Sequence, residues 1–175
     1  SVLDTPSNNF ATVKTLGTPA VTTMAEGNLY LDTNATGNAR ANRSTGMSTY
    51  FVNSGKWYCE HYHLCINTMV GVAPPQIMRP YTSDNTRYVM VYSGGGNKYV
   101  NTNGSESNST YATNSYVGGT TGILIDMDQT TPVMYVSYNG QWANGSGAWN
   151  QSNPYTSGGA IPLDNSFFTD HADST

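Results

Sequence analysis

Cysteine and histidine occupy every second position of one short segment: Cys59, His61, His63 and Cys65. Because side chains of a β-strand alternate between its two faces, these four would share one face. Both residue types are zinc ligands, but four ligands in a straight row cannot close a tetrahedron. At most, His61 and His63 could share a metal ion with a residue from elsewhere. We therefore predict no metal site, keep these two histidines as the only candidates, and otherwise expect this face to be half-buried packing.

Carboxylates suited to hydrolysis are few. Asp126 and Asp128 would lie on one strand face about 7 Å apart, and Glu60 is the one Glu in a predicted strand. Retaining glycosidases need two carboxyl groups about 5 Å apart in a cleft, but the E-x-D-x-x-E strand motif of related sandwich enzymes is absent. The chain also lacks a Gly-x-Ser-x-Gly elbow and a phosphate-binding Gly-x-x-x-x-Gly-Lys loop. We predict that the protein is not an enzyme.

Aromatic residues in a Gly-, Asn- and Ser-rich stretch are the best binding candidates: Trp142, Trp149 and Tyr155. Flat rings stack on sugars or anchor protein partners, and neutral polar neighbours supply adaptable hydrogen bonds. Asn97 and Tyr99, beside a glycine-rich turn, complete the predicted ligand-binding loops. Two alternatives stay open. Trp142 could instead anchor a hairpin, and the other two rings could pack on neighbouring subunits.

Charge and hydropathy exclude two classes of partner. Charged residues make up 10% of the chain, and its seven Lys and Arg are scattered within a net charge of −4. No basic stripe exists to neutralise phosphates, so we predict no nucleic-acid binding. No apolar run approaches the roughly 20 residues that span a bilayer, so we predict no membrane insertion.

Oxygen ligands that calcium accepts are concentrated at a few polar positions: Asp32, Asn34, Asp84 and Asn85. Their spacing matches no regular calcium loop. We therefore predict no cofactor, with calcium as the remaining candidate.

Short apolar runs bounded by turn residues predict β-strands at residues 56–66, 69–73, 88–92, 122–127 and 133–138. Asn139 and Gly140 form a hairpin-turn dipeptide after the last of these. The Asn-, Ser-, Thr- and Gly-rich stretches at 101–120 and 141–160 are predicted to be loops. Many short strands separated by turns are typical of an all-β sandwich or barrel, and the length fits one domain over residues 1–175.

Four segments, in order, resemble SPRY domains: SGKWYCE at 54–60, VGVA at 70–73, GILIDMD at 122–128 and VMYVSYNGQW at 133–142. The resemblance is to the SPRY domains embedded in phage tail, fibre or other virion proteins. It implies an all-β fold, a two-sheet antiparallel β-sandwich of the concanavalin A-like jelly-roll type. Cys59 departs from the pattern, because an aromatic residue is usual there.

The resemblance also implies a function. A SPRY-like domain is a non-catalytic recognition module, so we expect a phage virion protein that binds a host surface glycan or protein. The alternative is a purely structural virion component whose partners are other virion subunits, including further copies of itself. Residues 167–175 do not resemble the closing strand of the family. We therefore expect a segment of a longer virion protein.

Overall fold

In the computed structural model, the chain folds mainly into β-strands. It describes Thr12 and residues 22–25, 30–33, 52–64, 68–73, 88–102, 105–112 and 118–163. The twelve strands of these ranges are β1 (Thr22–Ala25), β2 (Tyr30–Thr33), β3 (Lys56–His63), β4 (Met69–Val72), β5 (Tyr88–Tyr92), β6 (Asn97–Thr102), β7 (Ser105–Thr110), β8 (Gly119–Asp126), β9 (Val133–Tyr138), β10 (Gln141–Ala143), β11 (Trp149–Gln151) and β12 (Ile161–Pro162). A single 3-10 turn, Pro154–Thr156, is the only helical element among the described residues. In those ranges no helix has the length and apolar character needed to cross a membrane.

The chain divides into two compact units. In the first, Ser1–Phe51 with Pro75–Thr86, the described strands are the antiparallel pair β1 and β2. The second, Val52–Pro74 with Arg87–Thr175, contains the other ten strands. The prediction of one domain over the whole chain stays a prediction.

The second unit contains two antiparallel sheets. One has the strand order β11-β10-β9-β8-β3, with β12 paired to β9, and the other has the order β4-β5-β6-β7. The predicted all-β, two-sheet antiparallel sandwich is therefore confirmed. Asn139 and Gly140 make the β9–β10 turn, and both have positive φ angles, 47° and 77°. That geometry is what a two-residue hairpin requires and what an Asn-Gly pair tolerates.

The core lies between the two sheets. Strand alternation directs Val89 and Val91 of β5 inward from the smaller sheet, and Ile123, Met134 and Val136 inward from the larger one. These side chains form one buried cluster. Because successive side chains point to opposite faces, Tyr135, which lies between the inward-facing Met134 and Val136, must lie on the outer face of the larger sheet.

Tyr111 fills a gap in the larger sheet. β10 pairs with β9 at Ser137 and Tyr138, whereas β12 pairs with it further along, at Val133 and Met134. Between these two pairings, the Val136 N–H donates to the buried Tyr111 hydroxyl at 3.3 Å. The same hydroxyl donates to the Gly159 carbonyl at 2.6 Å. The Tyr111 hydroxyl therefore supplies a hydrogen bond to β9 between β10 and β12, where no described strand pairs with β9.

The polar stretches contain strands that sequence analysis assigned to loops. β7 lies within residues 101–120, and β10 and β11 lie within residues 141–160. The composition of these segments is typical of loops, but cross-strand pairing overrides weak strand propensity. The predicted closing segment, residues 167–175, lies outside the described residues.

Candidate functional site

Five aromatic side chains lie on the outer face of the larger sheet, and we call this the outer aromatic surface: Tyr58, Tyr62, Tyr135, Trp142 and Tyr155. Tyr58 and Tyr62 are 53% and 56% exposed, and Tyr155 is 46% exposed. Tyr58 and Tyr135 both stand opposite Leu124 of β8, so they share its face. Trp142 stands opposite Ser137 in the next row. The surface spans four neighbouring strands, β3, β8, β9 and β10.

Two of these rings meet over a strip of small residues. The ring centroids of Tyr58 and Trp142 lie 6.2 Å apart, with planes tilted by 58°. Beneath them Gly122 pairs with Ser137. A Cβ atom at Gly122 would lie 2.5 Å from both the Tyr58 hydroxyl oxygen and the Ser137 Oγ. The absence of a side chain at Gly122 therefore makes room for the Tyr58 ring to lie across β8 towards Trp142.

A charged group lies beside the second ring pair. The 3-10 turn capped by Asn153 holds Tyr155 with its ring centroid 5.5 Å from that of Tyr135. The Lys56 Nζ lies 5.1 Å from the Tyr155 ring centroid and 3.5 Å from the Asp126 carboxylate. This end of the surface therefore combines stacked rings with an ion pair whose charges offset each other.

The side chains of Asp126 and Lys56 stabilise each other in their charged forms. Burial would raise the pKa of Asp126, but hydrogen bonds from Gln129, the Asp128 N–H and Tyr155, together with the Lys56 charge, outweigh it and lower that pKa. The neighbouring Asp126 charge, followed by that of Tyr155, raises the pKa of Lys56. The pair is therefore charged at neutral pH.

Tyr58 donates its hydroxyl proton to the Glu60 carboxylate at 2.9 Å. Burial first, and then this hydrogen bond and the Glu60 charge, raise the pKa of Tyr58 to about 12. Its phenol is therefore neutral at physiological pH and remains a hydrogen-bond donor.

Cys59, His61 and His63 do share the other face of β3, as strand alternation predicts. The rings of His61 and His63 lie edge to face, 4.5 Å between centroids. His63 is buried and its Nδ1 is hydrogen-bonded to the Thr68 hydroxyl, which in turn bonds the Ser93 hydroxyl at 3.1 Å. Among the described residues no three His, Cys, Asp or Glu side chains come close enough to hold a metal ion.

Burial and neighbouring charges shift the pKa values of the side chains on this face. Burial lowers the pKa of His61, and burial followed by the charge of His61 lowers the pKa of His63 to about 4. Cys59 is exposed, and partial desolvation by its neighbours, followed by the charge of Glu60, raises the pKa of its thiol. Both histidines are therefore neutral at pH 7. His63 links the end of β3 to the start of β4 through its hydroxyl partners.

The five predicted ligand-binding residues separate into three places. Trp142 and Tyr155 belong to the outer aromatic surface. Trp149 belongs to β11 and packs against the core, with its ring centroid 6.2 Å from those of Tyr111 and Tyr138. Asn97 and Tyr99 lie on β6 of the other sheet. The Tyr99 ring lies edge to face with the Tyr92 ring, with 6.2 Å between their centroids.

These placements correct the expectation of one solvated aromatic loop. Trp142 and Trp149 are strand residues, because β10 pairs with both β9 and β11. Asn97 and Tyr99 likewise belong to a strand and not to a loop. The structure does not bring these two together with Trp142 and Tyr155.

Several earlier candidates lie outside the described residues: Cys65, Asn34, Asp84 and Asn85. Of Asp32 the structure describes the backbone in β2. The prediction of no cofactor, with calcium as the remaining candidate, therefore stays a prediction.

Three aromatic residues of the surface were missed by sequence reasoning: Tyr58, Tyr62 and Tyr135. A signal for them exists. Strand alternation that places Cys59 and His61 on one face of β3 places Tyr58, Glu60 and Tyr62 on the other. What the sequence does not indicate is which of the two faces meets the second sheet.

The fold and this surface define the chain as a two-sheet antiparallel β-sandwich with an aromatic outer face. A scan against protein-family models found no match, and a search of curated proteins found no similar sequence. The resemblance to SPRY domains therefore stays a prediction.

Proposed function

We propose that this chain is a non-catalytic recognition module of a phage virion protein, such as a tail fibre or other appendage, and that it binds host surface carbohydrate. The binding site is the outer aromatic surface. The observation that carries the proposal is the tilted pair of Tyr58 and Trp142, which lies over the small residues Gly122 and Ser137. The placement in a virion rests on the resemblance of the four ordered segments to phage SPRY domains.

The chemistry of the surface favours carbohydrate over a purely apolar ligand. Sugar rings present C–H groups on one side and hydroxyls at their edges, so they suit an aromatic platform with polar neighbours. An exposed amide that could bond hydroxyls is supplied by Gln129, and a carboxylate by Glu60. The Lys56–Asp126 pair adds no net charge to this end of the surface.

The state of the carboxylates supports binding without catalysis. Asp126 is fully buried and holds hydrogen bonds from Gln129 Nε2 and the Asp128 N–H, each at 3.0 Å. Asp128 accepts a hydrogen bond from the Gly55 N–H. A glycosidase needs a general acid with a raised pKa, whereas the hydrogen bonds on Asp126 lower its pKa despite its burial.

The test is a glycan array probed with the intact chain and with Tyr58→Ala and Trp142→Ala variants. We expect the wild type to bind a defined set of glycans and both variants to lose most of that signal. Trp57→Phe is the matched control, because Trp57 adjoins Tyr58 in sequence but points to the opposite face of β3. Equal binding by all four proteins would contradict the proposed site.

A structural role in the virion is a second candidate, favoured by exposed apolar side chains at β3. Trp57 is 44% exposed on the face opposite Tyr58, and Leu64, just after the strand, is 66% exposed. Contact with a second copy of the chain would bury apolar surface at Leu64, the more exposed of the two. Analytical ultracentrifugation of wild type and Leu64→Glu tests this candidate, and a wild-type monomer at every concentration would dismiss it.

A further inference from the structure

Glu60 carries a negative charge on the outer aromatic surface, and no basic side chain of the described residues offsets it. Its carboxylate accepts the Tyr58 hydroxyl proton. None of the described basic side chains forms an ion pair with Glu60, and Lys56, on the same face of β3, is paired with Asp126. The residue opposite Glu60 on β8 is Gly122, so space above this part of the sheet is left to the rings and the carboxylate.

The two rings beside Glu60 have faces that attract cations. Tyr58 and Trp142 are tilted by 58° with their centroids 6.2 Å apart, so one small group can contact both rings. A cation within about 6 Å of a ring centroid is attracted by the negative ring face, most strongly for Trp. The hydrogen bond to Glu60 fixes the Tyr58 hydroxyl towards the carboxylate and leaves its ring face for a ligand.

An adjacent carboxylate and two aromatic faces are the chemistry that binds an ammonium group. A neutral sugar would offer Glu60 only an uncharged hydroxyl, and an acidic sugar would be repelled both by Glu60 and by a chain of net charge −4. We infer that the carbohydrate bound on this surface is an amino sugar whose positively charged amino group contacts Glu60, Tyr58 and Trp142. This inference rests on the proposed carbohydrate-binding function.

Isothermal titration calorimetry with three oligosaccharides of equal length and linkage tests the inference: β-1,4-linked glucosamine, N-acetylglucosamine and glucose. They share a backbone, but only the first carries free amines. We expect the wild type to bind the glucosamine oligomer about tenfold more tightly than the other two, which corresponds to about 1.4 kcal/mol. Added salt should weaken the glucosamine complex selectively, because screening acts on the charge–charge contact.

Glu60→Gln removes the charge and keeps an oxygen that can accept the Tyr58 hydroxyl proton. We expect it to abolish the preference for glucosamine and to change affinity for the acetylated oligomer less than about twofold. Asp128→Asn is the matched control, because it removes one exposed carboxylate elsewhere and keeps an acceptor for the Gly55 N–H. It should leave the preference intact.

The outcomes separate the two proposals. If Trp142→Ala abolishes binding but all three oligomers bind wild type equally, the amino-sugar inference is wrong and the carbohydrate-binding proposal stands. A preference that persists in Glu60→Gln would also overturn the inference. If no oligomer binds and the glycan array shows no signal that depends on Trp142, both are wrong.

Discussion

Replacing Tyr111 with phenylalanine removes one hydroxyl that serves two buried backbone groups. The hydroxyl donates to the Gly159 carbonyl at 2.6 Å and accepts from the Val136 N–H at 3.3 Å. The ring stays in place, so the cavity created is small. Each buried group left without a partner costs about 1–3 kcal/mol, and the longer bond contributes less. We therefore expect the free energy of unfolding to fall by about 2–4 kcal/mol.

A loss of that size is a large part of the roughly 5–15 kcal/mol that stabilises a typical domain. Urea unfolding followed by tryptophan fluorescence measures it as a lower midpoint with an unchanged slope. Tyr99→Phe is the control, because the Tyr99 hydroxyl has no hydrogen-bond partner among the described residues. It should change stability by less than about 0.5 kcal/mol. A Tyr111→Phe variant as stable as this control would refute the role given to Tyr111.

Three further predictions concern single positions of the larger sheet. Thr121→Val should raise the free energy of unfolding by about 1 kcal/mol, because the buried Thr121 hydroxyl has no hydrogen-bond partner among the described residues. Urea unfolding measures this change, and a clear loss of stability would contradict the prediction. Burial holds the pKa of His63 near 4 in the folded protein, whereas its value in the unfolded chain is 6.5. The stability that the neutral His63 side chain contributes is therefore complete above pH 6.5 and is lost as the pH falls towards 4. That loss is at most about 3 kcal/mol, and His63→Gln should remove the pH dependence in this interval; an unchanged profile would speak against it. Gly122→Ala should displace the Tyr58 ring and weaken carbohydrate binding about fivefold. The free energy of unfolding should change by less than about 1 kcal/mol. A wild-type affinity for carbohydrate, measured by calorimetry, would count against the ring arrangement.

Much of the strand pattern could be predicted from local sequence. The apolar runs at 88–92 and 133–138 coincide with β5 and β9, and Asn139 with Gly140 forms the turn that its residue types favour. These predictions succeed because alternation and turn chemistry are local properties. β7 and β11 were missed, because their polar residues resemble a loop and only pairing with the preceding strands, β6 and β10, makes them strands.

The candidate site could be predicted only in part. Trp142 and Tyr155 were identified from ring chemistry, and both are on the outer aromatic surface. Trp149 has the same residue type and the same polar neighbours, yet it packs on the core. The difference arises at a bulge between Trp142 and Ala143, where the β10–β11 register shifts. Such a shift reverses the face of a side chain and leaves no signal in composition.

The tryptophans allow one measurement to test the central claim, that carbohydrate binds on the outer aromatic surface. The chain has three, and each indole N–H gives its own signal in a proton–nitrogen NMR spectrum. Trp142 lies on the proposed surface, Trp57 on the opposite face of β3, and Trp149 at the core. On titration with a glycan selected from the array, we predict that the Trp142 indole signal shifts while the other two stay in place. A shift of the Trp57 signal with an unmoved Trp142 signal would contradict the proposed site.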